Sequence, residues 1–160
     1  MAASLRVAIV APGEMGYAVG ARLRVRGATV TTCLSGRGER SARRARAAGM
    51  VEVLDDEALV RAADIFLSIV PPGAAVATAE RIATALARTG ASLLYVDCNA
   101  IAPATVEVVA HAVTLAGADS RMRRSSEGRR GTASRVRAST RRARRQLRSK
   151  GSASMAWTCA

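Results

Sequence analysis

The chain has 160 residues, which is enough for one domain with a buried apolar core and too few for two. Its formal net charge of +13 is spread unevenly. Residues 1–118 hold twelve arginines and ten acidic side chains, whereas residues 119–160 hold twelve arginines and one lysine against Asp119 and Glu127. The strongly basic character therefore belongs to the last quarter of the chain, and it does not describe the surface of the domain before it.

The cysteines exclude two kinds of stabilised small domain. Cys33, Cys98 and Cys159 are odd in number and widely spaced, and none has a second cysteine or a histidine nearby in sequence. This pattern favours neither a disulfide framework nor a metal site, and it predicts a reduced, cytoplasmic location. No stretch reaches the roughly 20 apolar residues that span a membrane, so no membrane partner is expected.

Short apolar, β-branched runs alternate with segments of helical periodicity from residue 6 onward. The predicted strands cover residues 6–10, 28–34, 51–53, 65–70 and 92–97. The predicted helices cover residues 15–26, 39–48, 56–62, 73–88 and 103–115. Strands that are apolar on both faces and alternate with helices predict an α/β fold, a doubly wound parallel sheet covered on each side.

The first predicted strand is followed directly by a glycine-containing turn and then by a helix. Its residues are Ala11, Pro12, Gly13, Glu14, Met15 and Gly16. In dinucleotide-binding folds a turn at this place brings the backbone close to a pyrophosphate, which meets the free amides of the helix N-terminus. We therefore interpret these six residues as cofactor-binding, although a tight strand-to-helix turn without a ligand would need similar glycines.

The end of the second predicted strand distinguishes between NAD and NADP. It reads Leu34-Ser-Gly-Arg37, without the acidic residue that usually binds the ribose hydroxyls of NAD. Arg37 and Ser35 are suited to a 2′-phosphate, so NADP is the predicted cofactor and NAD the alternative. Arg37, Arg40, Arg43 and Arg44 could instead form a solvated helix face.

Three motifs occur in an order that resembles the N-terminal domain of the 6-phosphogluconate dehydrogenase and 3-hydroxyisobutyrate dehydrogenase superfamily, a Rossmann fold. They are the Gly13-Glu-Met-Gly16 turn, Ser68 to Pro72, and Tyr95 to Pro103. The resemblance covers about residues 4–118 and is nearest to uncharacterised members. It implies that Val70, Pro71 and Pro72 line the cofactor and that Asn99 lies beside the nicotinamide. Asn99 could otherwise cap the helix that begins near Pro103.

The resemblance also implies that catalysis needs residues from a second domain, which we do not recognise in this sequence. Relatives act on small hydroxy acids, and they take their catalytic lysine and further substrate contacts from a helical domain that follows the Rossmann domain. The only lysine here is Lys150, in a segment without an apolar helical face. We therefore assign no catalytic residue, expect a truncated protein that is inactive alone, and leave substrate and oligomeric state unassigned.

Two interpretations are open for residues 119–160, which read as an Arg-rich disordered tail. If the reading frame moves back by one base near Asp119, the codons allow Leu-Ala-Asp-Ala-Ala-Ile-Val-Gly-Gly-Pro-Pro, which is similar to the segment that follows the last Rossmann helix in the family. We therefore expect out-of-frame sequence. The alternative is a nucleotide-sensing protein without catalysis that uses a basic arm to bind nucleic acid, a partner we consider second.

Overall fold

The computed structural model describes residues 4–10 and 12–122, with only the course of the backbone for residues 119–122. Ala11, predicted to contact the cofactor, lies outside the described residues. Residues 123–160 also lie outside the described residues, and they make up most of the predicted tail, for which we expect an out-of-frame origin.

Six parallel strands form one sheet in the order β3-β2-β1-β4-β5-β6. The strands are β1 (Arg6–Ile9), β2 (Thr29–Cys33), β3 (Val51–Val53), β4 (Ile65–Ser68), β5 (Leu94–Asp97) and β6 (Asp119–Met122). The chain adds β2 and β3 on one side of β1, and then β4, β5 and β6 on the other side. β1 and β4 are therefore neighbours at the point where the direction of winding reverses. This is the Rossmann order, and the predicted fold class is confirmed.

Five helices connect the strands, and each begins within two residues of its predicted start. They are α1 (Glu14–Val25), α2 (Glu39–Ala47), α3 (Asp56–Arg61), α4 (Ala75–Thr89) and α5 (Pro103–Leu115). A short 3-10 turn at Pro72–Ala74 precedes α4, and the Ala74 N–H donates to the Pro71 carbonyl at 2.8 Å. Helix α4 ends at Gly90, whose φ of 62° suits a residue without a side chain.

Each face of the sheet has its own apolar core. One core lies under α1 and α2 and includes Val7, Ile9 and Val30. The other lies under α3, α4 and α5, and its largest side chains are Phe66 and Tyr95, whose rings stack with centroids 5.1 Å apart. Burial on both faces explains why these strands carry continuous apolar runs.

Strand β6 extends the domain beyond residue 118, where the sequence placed its end. Its backbone pairs with β5 in register, with Leu94 opposite Asp119 and Asp97 opposite Met122. Pairing along a sheet edge is made by backbone groups and needs no apolar periodicity, so composition did not reveal this strand. Residues 119–122 therefore belong to the sheet and not to a disordered tail.

Candidate dinucleotide-binding site

The carboxyl ends of the parallel strands meet at one edge of the sheet, where ligands bind in this kind of fold. The turn before α1 follows β1, and Ser35 and Arg37 follow β2. Val70 follows β4, and Asn99 follows β5. The structure thus brings the predicted site residues that it describes to one edge, around the reversal between β1 and β4.

The glycine turn leaves the N-terminus of α1 open. Gly13 is its N-cap, with φ −65° and ψ −169°, and no side chain caps the helix. The N–H groups of a first helical turn have no partner within the helix, so they remain available to an anion. A Cβ built on Gly13 would meet nothing within 4 Å, so no described neighbour requires a glycine there. Pro12 and Gly16 are buried, whereas Glu14 and Met15 are exposed.

Helix α1 packs closely on the sheet through a glycine that the sequence prediction missed. A Cβ on Gly20 would collide with the methyl group of Met50 and lie 3.4 Å from Cδ1 of Ile9. Gly20 stands four residues after Gly16 on the same face of α1, so the spacing of the two glycines was the available signal.

The Glu14 carboxylate, at the first turn of α1, faces two arginines of α2. Arg44 donates to its Oε1 at 3.0 Å, and Arg40 lies 3.9 Å from the same oxygen. These arginines are ion-paired with a negative charge in the first turn of the open helix. Arg37 precedes α2 and lies outside this group, so the arginines predicted as one helix face divide into two sets.

A tight turn presents Ser35 and Arg37 at the end of β2. The Arg37 N–H donates to the carbonyl of Leu34 at 2.9 Å, and Gly36 has a φ of 71°, which favours glycine. Both side chains are exposed. Within residues 4–10 and 12–122, Arg37 makes no ion pair. A cavity of about 180 Å³ opens beside them, lined by Cys33, Ser35, Arg37, Asp55, Asp56 and Arg81.

Two acidic residues that do not belong to the end of β2 also line this cavity. Asp55 and Asp56 follow β3, which pairs with β2 and therefore ends beside it. Asp55 Oδ1 accepts a hydrogen bond from the Ala58 N–H at 2.7 Å and caps α3. Arg81 on α4 is ion-paired with Asp56 at 2.7 Å. These two aspartates come from the end of the neighbouring strand β3, so the residues of β2 alone do not reveal them.

Asn99 joins the ends of β4 and β5. Its Oδ1 accepts from the Val70 N–H at 2.8 Å, while its Nδ2 donates to Ser68 Oγ at 3.0 Å and to Asp97 Oδ2 at 3.1 Å. The Asn99 N–H also donates to Asp97 Oδ1 at 2.8 Å. Ser68 and Asp97 are buried. Both amide donors of Asn99 are thus used within the protein.

Asn99 does not cap α5, which was the alternative to a cofactor contact. The N-cap of that helix is Ala102, and it lacks a side-chain hydrogen bond. The three-residue network of Ser68, Asp97 and Asn99 was not anticipated, since Ser68 and Asn99 are 31 positions apart in sequence.

Tyr95 lies fully buried on β5, two residues before Asp97. Its hydroxyl has no hydrogen-bond partner among the described residues. Burial raises the pKa of the Tyr95 phenol to about 12. Tyr95 is therefore a neutral core residue.

Neither a metal site nor a membrane-spanning helix is found in the part of the chain that the structure describes. No group of three His, Cys, Asp or Glu side chains there is placed to hold a metal ion. No helix in that part is long and apolar enough to cross a membrane.

A solved structure with 30% sequence identity has the same fold. It is a conserved protein of unknown function described as structurally similar to 3-hydroxyacid dehydrogenases; its TM-score is 0.62, and the match covers 74% of this chain and 42% of that protein. The chain has the NAD(P)-binding domain fold of 3-hydroxyacid-dehydrogenase-like proteins. The resemblance deduced from the three motifs is thereby confirmed.

Two further structures with lower identity share this fold. Mycobacterium tuberculosis 3-hydroxyisobutyrate dehydrogenase has a TM-score of 0.64 at 21% identity, over 79% of this chain and 42% of the enzyme. A reductive aminase from Aspergillus terreus, solved with NADPH and ethyl-5-oxohexanoate, has a TM-score of 0.57 at 18% identity, over 75% and 40%. The chain therefore spans about two fifths of the length of these structural relatives. No protein-family model and no curated protein matches its sequence.

Proposed function

We propose that this chain binds NADP at the carboxyl edge of its sheet, as the cofactor domain of an oxidoreductase that acts on a small hydroxy acid. The observation that carries the proposal is Arg37, an exposed guanidinium without an ion-pair partner among the described residues, beside Ser35 at the mouth of a cavity. A guanidinium and a hydroxyl together suit a 2′-phosphate, which NADP has and NAD lacks.

The pyrophosphate would lie at the N-terminus of α1. Three features support this position: the helix has no side-chain cap, Gly13 has open space where a side chain would project, and β1 ends directly before the turn. Backbone N–H groups and the positive end of the helix dipole favour an anion there. Val70, Pro71 and Pro72 after β4 lie across the reversal point, where they would border the same ligand.

Asn99 acts in this proposal by fixing the strand ends beside the nicotinamide position. Its side chain ties Val70 to Asp97 and Ser68, so it holds the loop after β4 at a constant distance from the loop after β5. The bound nicotinamide would supply the hydride acceptor. We assign no general acid or base to the described residues.

The hydroxy-acid substrate is proposed from the relatives. One of them is named as a 3-hydroxyisobutyrate dehydrogenase and was solved with L-serine, and another as similar to 3-hydroxyacid dehydrogenases. Reduction of a carbonyl compound with NADPH is the same chemistry in reverse.

Substitution of Arg37 tests the cofactor proposal. Arg37→Gln is expected to weaken NADPH binding about tenfold, because a charge-assisted contact to the 2′-phosphate is lost, and to leave NADH binding unchanged. The matched control is Arg43→Gln, which removes an exposed arginine on α2 that does not line the cavity. Calorimetric titration gives both affinities. Equal losses in the two variants would contradict a specific role for Arg37.

A further inference from the structure

The cavity beside Arg37 contains four charged side chains, and their balance bears on which dinucleotide fits. Arg37 and Arg81 carry positive charge, and Asp55 and Asp56 carry negative charge. In Rossmann folds an acidic group near the ribose favours the free 2′-hydroxyl of NAD and repels the 2′-phosphate of NADP. The two aspartates would therefore oppose the preference that Arg37 supports, unless their charges are compensated.

The two aspartates are held in different ways. Asp55 is exposed, and one of its oxygens accepts a short hydrogen bond from the backbone of α3. Asp56 is the more shielded, since 21% of its side chain is accessible, and its Oδ2 lies 2.7 Å from Nε of Arg81. Arg81 belongs to α4, which follows β4 on the other side of the fold's reversal point. A residue far from β2 in sequence thus reaches the cavity at the end of β2.

We propose that Arg81 is a specificity-determining residue for the cofactor: it neutralises Asp56 and so allows a 2′-phosphate to bind beside Arg37. This inference rests on the proposed NADP-binding function and adds a second residue, besides Arg37, that determines the preference for NADP. Arg81 acts through Asp56, so it is a positioning residue and makes no contact with the phosphate itself. Without Arg81, the cavity would hold one arginine and two aspartates and would favour the uncharged ribose of NAD.

Comparison of a single and a double variant separates this role from direct binding. Arg81→Gln is expected to weaken NADPH binding about fivefold and to leave NADH binding unchanged, because an uncompensated carboxylate then faces the 2′-phosphate. The double variant Arg81→Gln with Asp56→Asn is expected to recover the NADPH affinity of the unaltered chain. Both affinities are measured by calorimetry on the 160-residue chain, and circular dichroism confirms that each variant is folded.

Arg88→Gln is the matched control. Arg88 is also an exposed arginine of α4, and it is ion-paired with an acid of α3, Glu57, at 3.7 Å. It does not line the cavity beside Arg37, although it borders an adjoining cavity of about 350 Å³ that Arg81 also lines. Its removal changes the net charge by the same amount as removal of Arg81. It is expected to lower the affinities for NADPH and NADH equally and by less than about twofold.

The outcomes distinguish this inference from the proposed function. If Arg81→Gln binds NADPH as well as the unaltered chain does, while Arg37→Gln is impaired, NADP binding stands and the role of Arg81 is overturned. If the double variant binds NADPH as weakly as Arg81→Gln, Arg81 contacts the phosphate directly and neutralisation of Asp56 is overturned. If the unaltered chain binds neither dinucleotide, the proposed function is overturned, and the role of Arg81 that rests on it is overturned as well.

Discussion

The two halves of the carboxyl edge are built on different principles. At the ends of β4 and β5, the polar side chains of Ser68, Asp97 and Asn99 are bonded to one another, and two of the three are buried. At the ends of β2 and β3, the polar side chains are largely exposed, and the ion pair between Arg81 and Asp56 sets the local charge. We call the β4–β5 half the fixed half, because hydrogen bonds hold its polar side chains. We call the β2–β3 half the adjustable half, because its charged side chains are largely exposed.

This difference is consistent with the cofactor contacts proposed for each half. A nicotinamide needs a defined position relative to a substrate, and a closed hydrogen-bond network supplies one. A 2′-phosphate carries charge, which exposed arginines attract at a distance without close packing. Substitutions in the β4–β5 half should therefore lower the free energy of unfolding, and substitutions in the β2–β3 half should change cofactor affinity.

The largest effect is expected from Asn99→Ala. The substitution removes three side-chain hydrogen bonds and leaves polar groups of Ser68 and Asp97 buried without those partners, at a cost of about 3 kcal/mol in the free energy of unfolding. Urea denaturation measures it. Ser68→Ala, which loses only one of these bonds, should cost about 1 kcal/mol. A loss below about 0.5 kcal/mol for Asn99→Ala would show that the network is not a structural frame.

Tyr95 gives the fixed half a dependence on alkaline pH. Its pKa is raised to about 12 in the folded chain, so the unfolded state releases the phenolic proton first as the pH rises. Stability is therefore fully present below about pH 10 and is lost between about pH 10 and 12, by about 2 kcal/mol. Tyr95→Phe should lack this part of the loss, measured by urea denaturation at several pH values.

Tyr17→Phe is the control for that experiment. Tyr17 is an exposed residue of α1, so its replacement should leave the alkaline loss of stability as it is in the unaltered chain. Near neutral pH, Tyr95→Phe should change stability by less than about 1 kcal/mol, because the hydroxyl that it removes has no hydrogen-bond partner among the described residues. An undiminished alkaline loss in Tyr95→Phe would contradict the assignment.

Two glycines of the α1 region, which follows β1 and lies between the two halves, separate binding from stability. Gly13→Ala adds a methyl group in open space at the helix N-cap, so the free energy of unfolding should fall by less than about 1 kcal/mol, while NADPH affinity falls about tenfold because the methyl group would lie on the proposed pyrophosphate path. Gly20→Val should lower the free energy of unfolding by about 1–3 kcal/mol through overpacking against Met50, and leave the affinity of the folded chain unchanged. An unchanged NADPH affinity in Gly13→Ala would place the pyrophosphate elsewhere.

The sequence predicted the local features of this fold well, since they depend on neighbouring residues. The bounds of β3 and α5 agree with the prediction, and the glycine turn lies where its motif placed it. Interactions across strands were missed because they depend on strand order. The bond between Asn99 and Ser68 requires β4 beside β5, and the entry of Asp55 into the cavity of Arg37 requires β3 beside β2.

The affinity of the unaltered chain for NADPH and NADH tests the central claim most directly. Both dinucleotides are titrated by calorimetry into the 160-residue chain at low and at high salt. The account predicts NADPH binding about tenfold tighter than NADH binding at low salt, with a difference that shrinks as salt screens Arg37 from the 2′-phosphate. Equal affinities at low salt, or no binding of either dinucleotide, would contradict it.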